Sequence, residues 1–192
     1  DATQEVLSTY KAINGHYKNM LRLTSESGRH ALRSDSLTAI ACLYAGILLS
    51  DAKDMFSVVS KLWPSIERLL KDTVIIMARN FPKERTLLCN IFQLDQGDPI
   101  PQQINGLSCY NIEEKIISWN RQYPENEMIP SAVIGDIRTV RQVRNMISHA
   151  DGRLEELDMM RAKTAAMKSI TIVSSLLLVI NSLSSKNRKH LN

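Results

Sequence analysis

The residues best suited to chemistry are Arg144, Asn145 and His149, which lie in the run RQVRNMISHADG. A helix advances about 100° per residue, so Asn145 and His149 share a face, and the long side chain of Arg144 can reach toward it. A histidine can transfer a proton near pH 7, and an arginine can hold two phosphate oxygens. The combination suits RNA cleavage by attack of a ribose 2′-hydroxyl on its own phosphate, without a metal ion.

Each of these side chains has a definable part in such a reaction. His149 lies near the negative end of its helix, which favours the protonated imidazole and therefore a general acid or a phosphate-binding cation. Arg144 would neutralise the phosphate, and Asn145 would orient the histidine ring or the ribose. Ser148 could add a weak contact. The same residues also fit a structural interpretation, in which His149 only caps the helix and Arg144 and Asn145 are solvated surface.

Further basic residues surround this cluster. The formal charge is +4 and the sequence pI is near 9.0, which is compatible with a polyanionic partner but does not require one. Arg138 and Arg141 lie on the same expected helix, and Arg153 follows in the turn after it. We therefore expect RNA contacts from Arg138, Arg141, Ser148 and Arg153, with a second basic group at Lys186, Arg188 and Lys189.

The composition favours helices as the elements that position these residues. Hydrophobic residues make up 44% and charged residues 23% of the 192 residues, which is ordinary globular usage. Aromatic residues make up only 5%, and seven glycines and six prolines leave few turn signals for a sandwich or barrel. We predict an all-α, up-and-down bundle of roughly six to eight helices, with residues 1–192 forming a single domain.

Apolar periodicity predicts the helices of the first half of the chain. One long helix is expected over residues 2–24, and one or two helices are expected from Leu37 to Leu62. Pro64 and Pro82 each stand where a proline suits the first turn of a helix, so each is predicted to begin one. The segment from Asp95 to Tyr110 is rich in glycine and proline and is predicted to be a loop.

Two helices of the second half are predicted from a capping pattern and a long apolar run. Asn111 followed by Glu114 matches a capping box, so a helix should run from there to about Tyr123. The final helix is expected from Leu154 to Leu183. Its uncharged segment Ser169–Ser185 resembles a membrane span, but its 17 residues include six serines, a threonine and an asparagine. We expect a central, buried bundle helix and no membrane contact.

The helix that carries Arg144 and His149 is predicted between these two. Pro124 and Pro130 bracket a loop that precedes it. Apolar residues at spacings of four, three and seven define its buried side, and polar residues occupy the other side. The expected buried positions are Val133, Ile137, Val140 and Ile147.

Cysteine usage and the absence of a visible leader suggest the cellular setting. Cys42, Cys89 and Cys109 are far apart and form no CxxC pair, so neither a disulfide framework nor a zinc site is indicated. No basic start followed by an apolar run is present. We expect an intracellular, reducing location, cytoplasmic or nuclear, and no cofactor.

Arg144, Asn145 and His149 match the marker of the HEPN superfamily, an arginine often followed by asparagine, aspartate or histidine, with a histidine a few residues further on. The marker lies late in the chain before a final helix, and the chain resembles that family in this respect too. The resemblance implies a helical bundle that dimerises so that two markers line a shared basic cleft for RNA, often with metal-independent endoribonuclease activity. It implies that His149 is the acid or base, Arg144 the phosphate ligand and Asn145 the orienting group.

The chain is also similar to the C-terminal HEPN-like region of the eukaryotic PIN-domain endoribonuclease of mRNA surveillance. This similarity implies that cutting belongs to another domain, while the present one binds single-stranded RNA and forms a homodimer. The sequence begins at Asp1 rather than methionine, so we expect the C-terminal part of a larger protein.

Two other functions compete with RNA binding. The first is a non-catalytic protein-interaction or dimerisation bundle, in which the final apolar helix meets a partner and the Arg-Asn-His cluster is incidental. The second is a nucleotide-handling transferase, which would need acidic metal ligands, and the sequence offers no suitable pair.

Overall fold

A computed structural model of the chain describes residues 52–148 and 159–190. Within these ranges the chain forms α-helices and one 3-10 helix and no strand, which confirms the all-α class expected from the composition. The helix expected over residues 2–24 lies outside the described residues, as does most of the helical segment expected from Leu37 to Leu62. The described helices are α1 (Ala52–Asn80), α2 (Pro82–Phe92), α3 (Ile100–Asn105), α4 (Cys109–Gln122), α5 (Ser131–Ser148) and α6 (Met159–His190), with the 3-10 helix at Pro124–Asn126.

The described residues belong to two compact units. The first unit contains residues 52–66, 136–148 and 159–174, and the second contains residues 67–135 and 175–190. Helices α1, α5 and α6 therefore each contribute residues to both units. The single domain expected over the whole chain stays a prediction.

The first unit buries apolar side chains from α1, α5 and α6. Among the polar groups inside this core, the fully buried Ser169 hydroxyl donates to the Ala165 carbonyl oxygen of its own helix at 2.7 Å. Small residues on α6 allow close packing, since three of its buried positions are alanines. The main buried residues of this unit are Met55, Phe56, Val58, Val59, Leu62, Trp63, Ile66, Ile137, Val140, Val143, Ala162, Ala165, Ala166, Ile170, Ile172 and Val173.

Pro64 does not begin a helix, as its position suggested, but lies inside α1. A proline in a helix interior removes one backbone hydrogen bond and costs about 3 kcal/mol. Leu62 and Trp63 before it and Ile66 after it are 0%, 4% and 0% exposed, so the apolar stripe continues through the proline without a break. Burial of that stripe offsets the free-energy cost of the internal proline. The local sequence around Pro64 does not indicate this burial.

The second unit is built around α4, which packs against α2 and contacts the 3-10 helix. The prediction that Pro82 begins a helix is confirmed, since α2 has the proline in its first turn. The C-cap of α2 is Gln93, whose φ of 57° places it in the left-handed region. The main buried residues of this unit are Leu69, Leu70, Val74, Ile76, Met77, Leu88, Phe92, Ile100, Ile104, Ile112, Ile116, Trp119, Met128, Ile129, Ile134, Leu176, Leu177, Ile180 and Leu183.

The prediction of a loop from Asp95 to Tyr110 is wrong in its centre, where α3 forms. Ile100 and Ile104, one helical turn apart, are 5% and 0% exposed, and their burial stabilises a helix. The prolines beside them had predicted a loop instead. Helix α3 is also anchored at its end: the buried Lys71 donates to the Asn105 carbonyl oxygen at 3.1 Å, and Arg68 donates to the Asn105 side-chain oxygen at 2.9 Å.

The capping box predicted at Asn111 and Glu114 is also wrong, because the N-cap of α4 lies three residues earlier. Cys109 and Ile112 are both buried on the same face, so the helix includes Cys109. Ser108 is the N-cap, with an extended backbone and a hydroxyl oxygen that accepts a hydrogen bond from the Asn111 backbone N–H at 3.2 Å. The expected end is confirmed, since the helix stops at Gln122 with Tyr123 as its C-cap.

A buried asparagine fastens the segment that follows α4. Asn120 is 6% exposed and lies on the inner face of the helix. Its amide nitrogen donates to the Ile129 carbonyl oxygen at 2.7 Å, and its amide oxygen accepts from the Met128 backbone N–H at 2.9 Å. The side chain thereby replaces backbone partners that an irregular segment lacks, and both Met128 and Ile129 can be buried.

Helix α6 is longer than expected, since it continues beyond Leu183 to His190. The stretch Met160–Ile180 is, by length and composition alone, apolar enough to cross a membrane, and 53% of its apolar window is buried within the protein. Core helices of globular proteins pass the same test. Residues 154–158, where the helix was expected to begin, lie outside the described residues.

Replacement of the N-cap tests which residue starts α4. Ser108→Ala should lower the free energy of unfolding by about 1 kcal/mol, because the Asn111 N–H loses its acceptor. Asn111→Ala should change it by less than about 0.5 kcal/mol, because this side chain caps nothing. Urea denaturation followed by circular dichroism measures both; the reverse order of effects would restore the capping box at Asn111.

Removal of the Asn120 amide should destabilise the second unit. Asn120→Ala leaves the Met128 N–H and the Ile129 carbonyl without their partner, and we expect a loss of about 2–4 kcal/mol in unfolding free energy. Asn90→Ala, at an exposed asparagine on α2, is the matched control and should change it by less than about 0.5 kcal/mol. Equal effects in the two variants would show that the Asn120 hydrogen bonds contribute nothing.

Candidate functional site

Helix α5 is amphipathic, as its sequence predicted, but its buried face is centred elsewhere. Ile137 and Val140 are fully buried as expected, whereas Val133 and Ile147 are only half-buried. Sequence reasoning missed two buried positions on the same side. They are Ile134 and Val143, at 2% and 1% exposed.

Arg144 and Asn145, two of the three predicted catalytic residues, are half-buried near the end of α5. The Arg144 Nη1 lies 3.4 Å from the Asn145 Oδ1, to which it donates a long hydrogen bond. The third residue, His149, lies outside the described residues, so the expected convergence of Arg144 and His149 stays a prediction. What the structure places together is a guanidinium held by a neighbouring amide oxygen, both within reach of solvent.

The predicted RNA-binding arginines of α5 accompany this pair. Arg138 and Arg141 are both half-buried, so part of each side chain remains accessible. Ser148 is the last residue of α5. Arg153 lies outside the described residues.

A salt bridge pairs the one negatively charged side chain of α5 with a lysine. Asp136 is the one acidic residue of the helix, and its Oδ1 lies 2.6 Å from the Lys168 Nζ on α6. Both side chains are about one-third exposed, so the pair is partly shielded from water. Beyond this bridge, residues 137–148 of α5 contain three arginines and no carboxylate.

The two units differ in charge. The described part of the first unit contains two acidic residues, Asp54 and Asp136, and eight basic ones. In the described part of the second unit, residues 67–135 contain nine acidic and seven basic residues, and residues 175–190 add Lys186, Arg188 and Lys189, so the two signs nearly balance. The whole chain is only mildly positive, but the first unit is strongly basic. Its basic residues are Lys53, Lys61, Arg138, Arg141, Arg144, Arg161, Lys163 and Lys168.

The second unit contains a cavity of about 330 Å³. Its floor is apolar and is formed by Met77, Trp119, Met128 and Leu183, which are all less than 10% exposed. The Trp119 indole N–H donates to the Asn126 carbonyl oxygen at 2.9 Å, which fixes the ring. The volume is at the lower end of the range for small-ligand sites.

Aromatic walls and carboxylates surround this floor. The half-buried rings of Phe81 and Tyr123 form the walls, and the Tyr123 ring centroid lies 4.8 Å from that of Trp119 at an interplanar angle of 48°. Glu84 from α2 and the exposed Glu125 and Glu127 lie at the opening. Cavity, rings and carboxylates together form a second candidate site, hereafter the acidic cavity.

Sequence reasoning did not find the acidic cavity. Trp119 was expected to be a core or interface residue, and it is buried. The run from Tyr123 to Glu127 does place carboxylates beside an aromatic residue, but Glu84 and Phe81 come from a distant part of the chain. Over the ranges that the structure describes, no group of three or more His, Cys, Asp or Glu side chains is placed to hold a metal ion.

Comparison with models of protein families, with curated proteins and with solved structures finds no match to this chain. The resemblance to the HEPN superfamily therefore rests on Arg144, Asn145 and His149 and on the all-helical character of the chain.

Proposed function

We propose that this chain is an RNA-binding helical domain of the HEPN type and that α5 presents its phosphate-binding surface. The observation that carries the proposal is the recurrence of arginine every third residue along α5, at Arg138, Arg141 and Arg144, on a stretch whose one carboxylate, Asp136, is already paired. The eight basic residues of the first unit add to the potential that attracts a polyanion.

The spacing of the arginines suits a flexible strand. Residues three apart on a helix are separated by about 4.5 Å along its axis and by about 60° around it. The three guanidinium groups therefore extend over roughly 9 Å and fan across about 120°, which is a broad surface rather than a pocket for one anion. A single-stranded RNA can follow such a surface because its backbone bends to meet each cation.

The end of α5 is the proposed place for cleavage. Arg144, steadied by Asn145, binds the scissile phosphate and stabilises the charge that develops on its oxygens. His149 transfers one of the two protons, either from the attacking 2′-hydroxyl or to the departing 5′-oxygen, and water transfers the other. The 2′-oxygen forms the new bond to phosphorus as the bond to the 5′-oxygen breaks, which leaves a cyclic phosphate and a free 5′-hydroxyl.

The proposal extends to the assembly and role of the protein. Two copies bring two such markers to one basic cleft, and this homodimer acts in RNA processing or mRNA quality control, either as an endoribonuclease or beside one. A second candidate, a protein-interaction bundle, is favoured by Met160 and Leu178 on α6, which are 70% and 48% exposed. Salt dependence separates the two, because apolar contacts lack the log-linear loss of affinity that counterion release produces.

Neutralisation of the α5 arginines should weaken RNA binding in a salt-dependent way. Each of Arg138→Gln, Arg141→Gln and Arg144→Gln should lower affinity for a single-stranded RNA and reduce the slope of log K against log salt by about 1. Arg121→Gln, an exposed arginine of the second unit, is the control and should leave the slope unchanged. Fluorescence anisotropy with a labelled oligonucleotide over a range of salt concentrations gives both quantities; slopes equal to that of the parent protein in all three α5 variants would exclude this surface.

Metal-free cleavage tests the catalytic part of the proposal. In EDTA, the purified protein should cut labelled RNA, and His149→Ala should reduce the rate by about 10²–10⁴-fold while RNA binding is largely retained. Arg144→Ala should reduce both cleavage and binding. If the parent protein binds RNA but does not cut it, the domain presents RNA to a nuclease; if His149→Ala cuts as fast as the parent protein, the histidine has no part in the reaction.

A further inference from the structure

The acidic cavity has an unusual combination of linings. Its floor and walls are apolar and aromatic, while its opening is acidic. In the part of the chain that the structure describes, Glu84, Glu125 and Glu127 pair with no lysine or arginine, although seven basic residues lie in residues 67–135. A cavity lined by carboxylates that have no cationic partner is complementary in charge to a cation from outside the unit.

We propose that the acidic cavity binds the side chain of an arginine in a basic peptide segment of another protein. A guanidinium is planar, so it can stack on an aromatic face while its N–H groups donate to carboxylates. The cavity provides both partners, with Tyr123 and Phe81 as walls and the glutamates at the opening. A compact ammonium could not use both to the same extent, because it lacks the flat face and the fork of donors.

The cavity is already organised for such a ligand. Asn120 holds Met128 and Ile129 in place, and the indole N–H of Trp119 holds Asn126, so the segment that carries Glu125 and Glu127 is fastened on both sides. Glu127 is further oriented by Ser131, whose hydroxyl donates to its Oε1 at 2.7 Å. The backbone of this segment would therefore lose little conformational freedom when a ligand binds, which favours affinity for a short peptide.

The acidic cavity does not depend on the proposed RNA-binding function. Carboxylates at its opening repel phosphate, so RNA is not its occupant. A basic peptide carries the charge opposite to that of Glu84, Glu125 and Glu127, which line the cavity.

The test uses the indole signal of Trp119 as a reporter, since the protein has two tryptophans and Trp63→Phe assigns the two peaks. A blocked peptide of alternating glycine and arginine is titrated into the ¹⁵N-labelled protein and followed by NMR. We expect the Trp119 indole peak to shift and to saturate below about 5 mM peptide. The same peptide with citrulline, a neutral isostere of arginine, should produce no shift.

Variants separate the cavity from general attraction between charges. Glu125→Gln and Glu127→Gln should each weaken arginine-peptide binding by about two- to fivefold, the range for partly exposed ion pairs. Asp98→Asn removes an exposed carboxylate of the same unit away from the cavity lining and should leave binding unchanged. A lysine peptide and tetramethylammonium should bind more weakly than the arginine peptide.

Any of four results would overturn the proposal. An unmoved Trp119 indole peak would show that the cavity takes no arginine. A shift of equal size with the citrulline peptide would show that charge is not recognised. Equal weakening by Asp98→Asn and Glu125→Gln, or equal binding of tetramethylammonium, would show a diffuse acidic surface rather than an arginine site.

Discussion

Helix α1 must keep an apolar face out of water over most of its described length, from Met55 to Ala78, although Pro64 interrupts its hydrogen bonds. Both compact units draw on this face for their cores. The burial of side chains such as Val59, Leu62 and Val74, each at 0% exposure, far exceeds what one lost hydrogen bond costs. The proline is therefore retained inside the helix, and α1 contributes buried side chains to the core of each unit.

Polar side chains fix the conformation of the irregular segments, which apolar burial alone does not determine. Lys71 satisfies the end of α3, Ser108 begins α4, and Asn120 holds the segment before α5. Each supplies a hydrogen-bond partner where a helix ends or a loop turns inward. The effect is most direct at the acidic cavity, where the hydrogen bonds of Asn120 and Trp119 fix the segment that carries Glu125 and Glu127.

Charge distinguishes the two units and with them the two proposals. The first unit concentrates arginine and lysine on α5 and α6 and uses Lys168 to pair the carboxylate of Asp136. The second unit is nearly neutral over its described residues and places Glu84, Glu125 and Glu127 around a cavity. We propose phosphate as the ligand of the α5 arginines and a cationic side chain as the ligand of the acidic cavity, so the two proposed ligands are opposite in charge.

Local patterns in the sequence were enough to determine the all-α class, the start of α2 at Pro82, the end of α4 near Tyr123 and the amphipathic character of α5 with its arginines. These features depend on periodicity and on proline stereochemistry, which act over a few neighbouring residues. The tertiary structure alone decided that Pro64 is internal, that Ile100 and Ile104 form a helix, that Ser108 is the cap and that α2 and α4 enclose a cavity. Those outcomes depend on which side chains are buried by partners distant in sequence, and no local pattern contains that information.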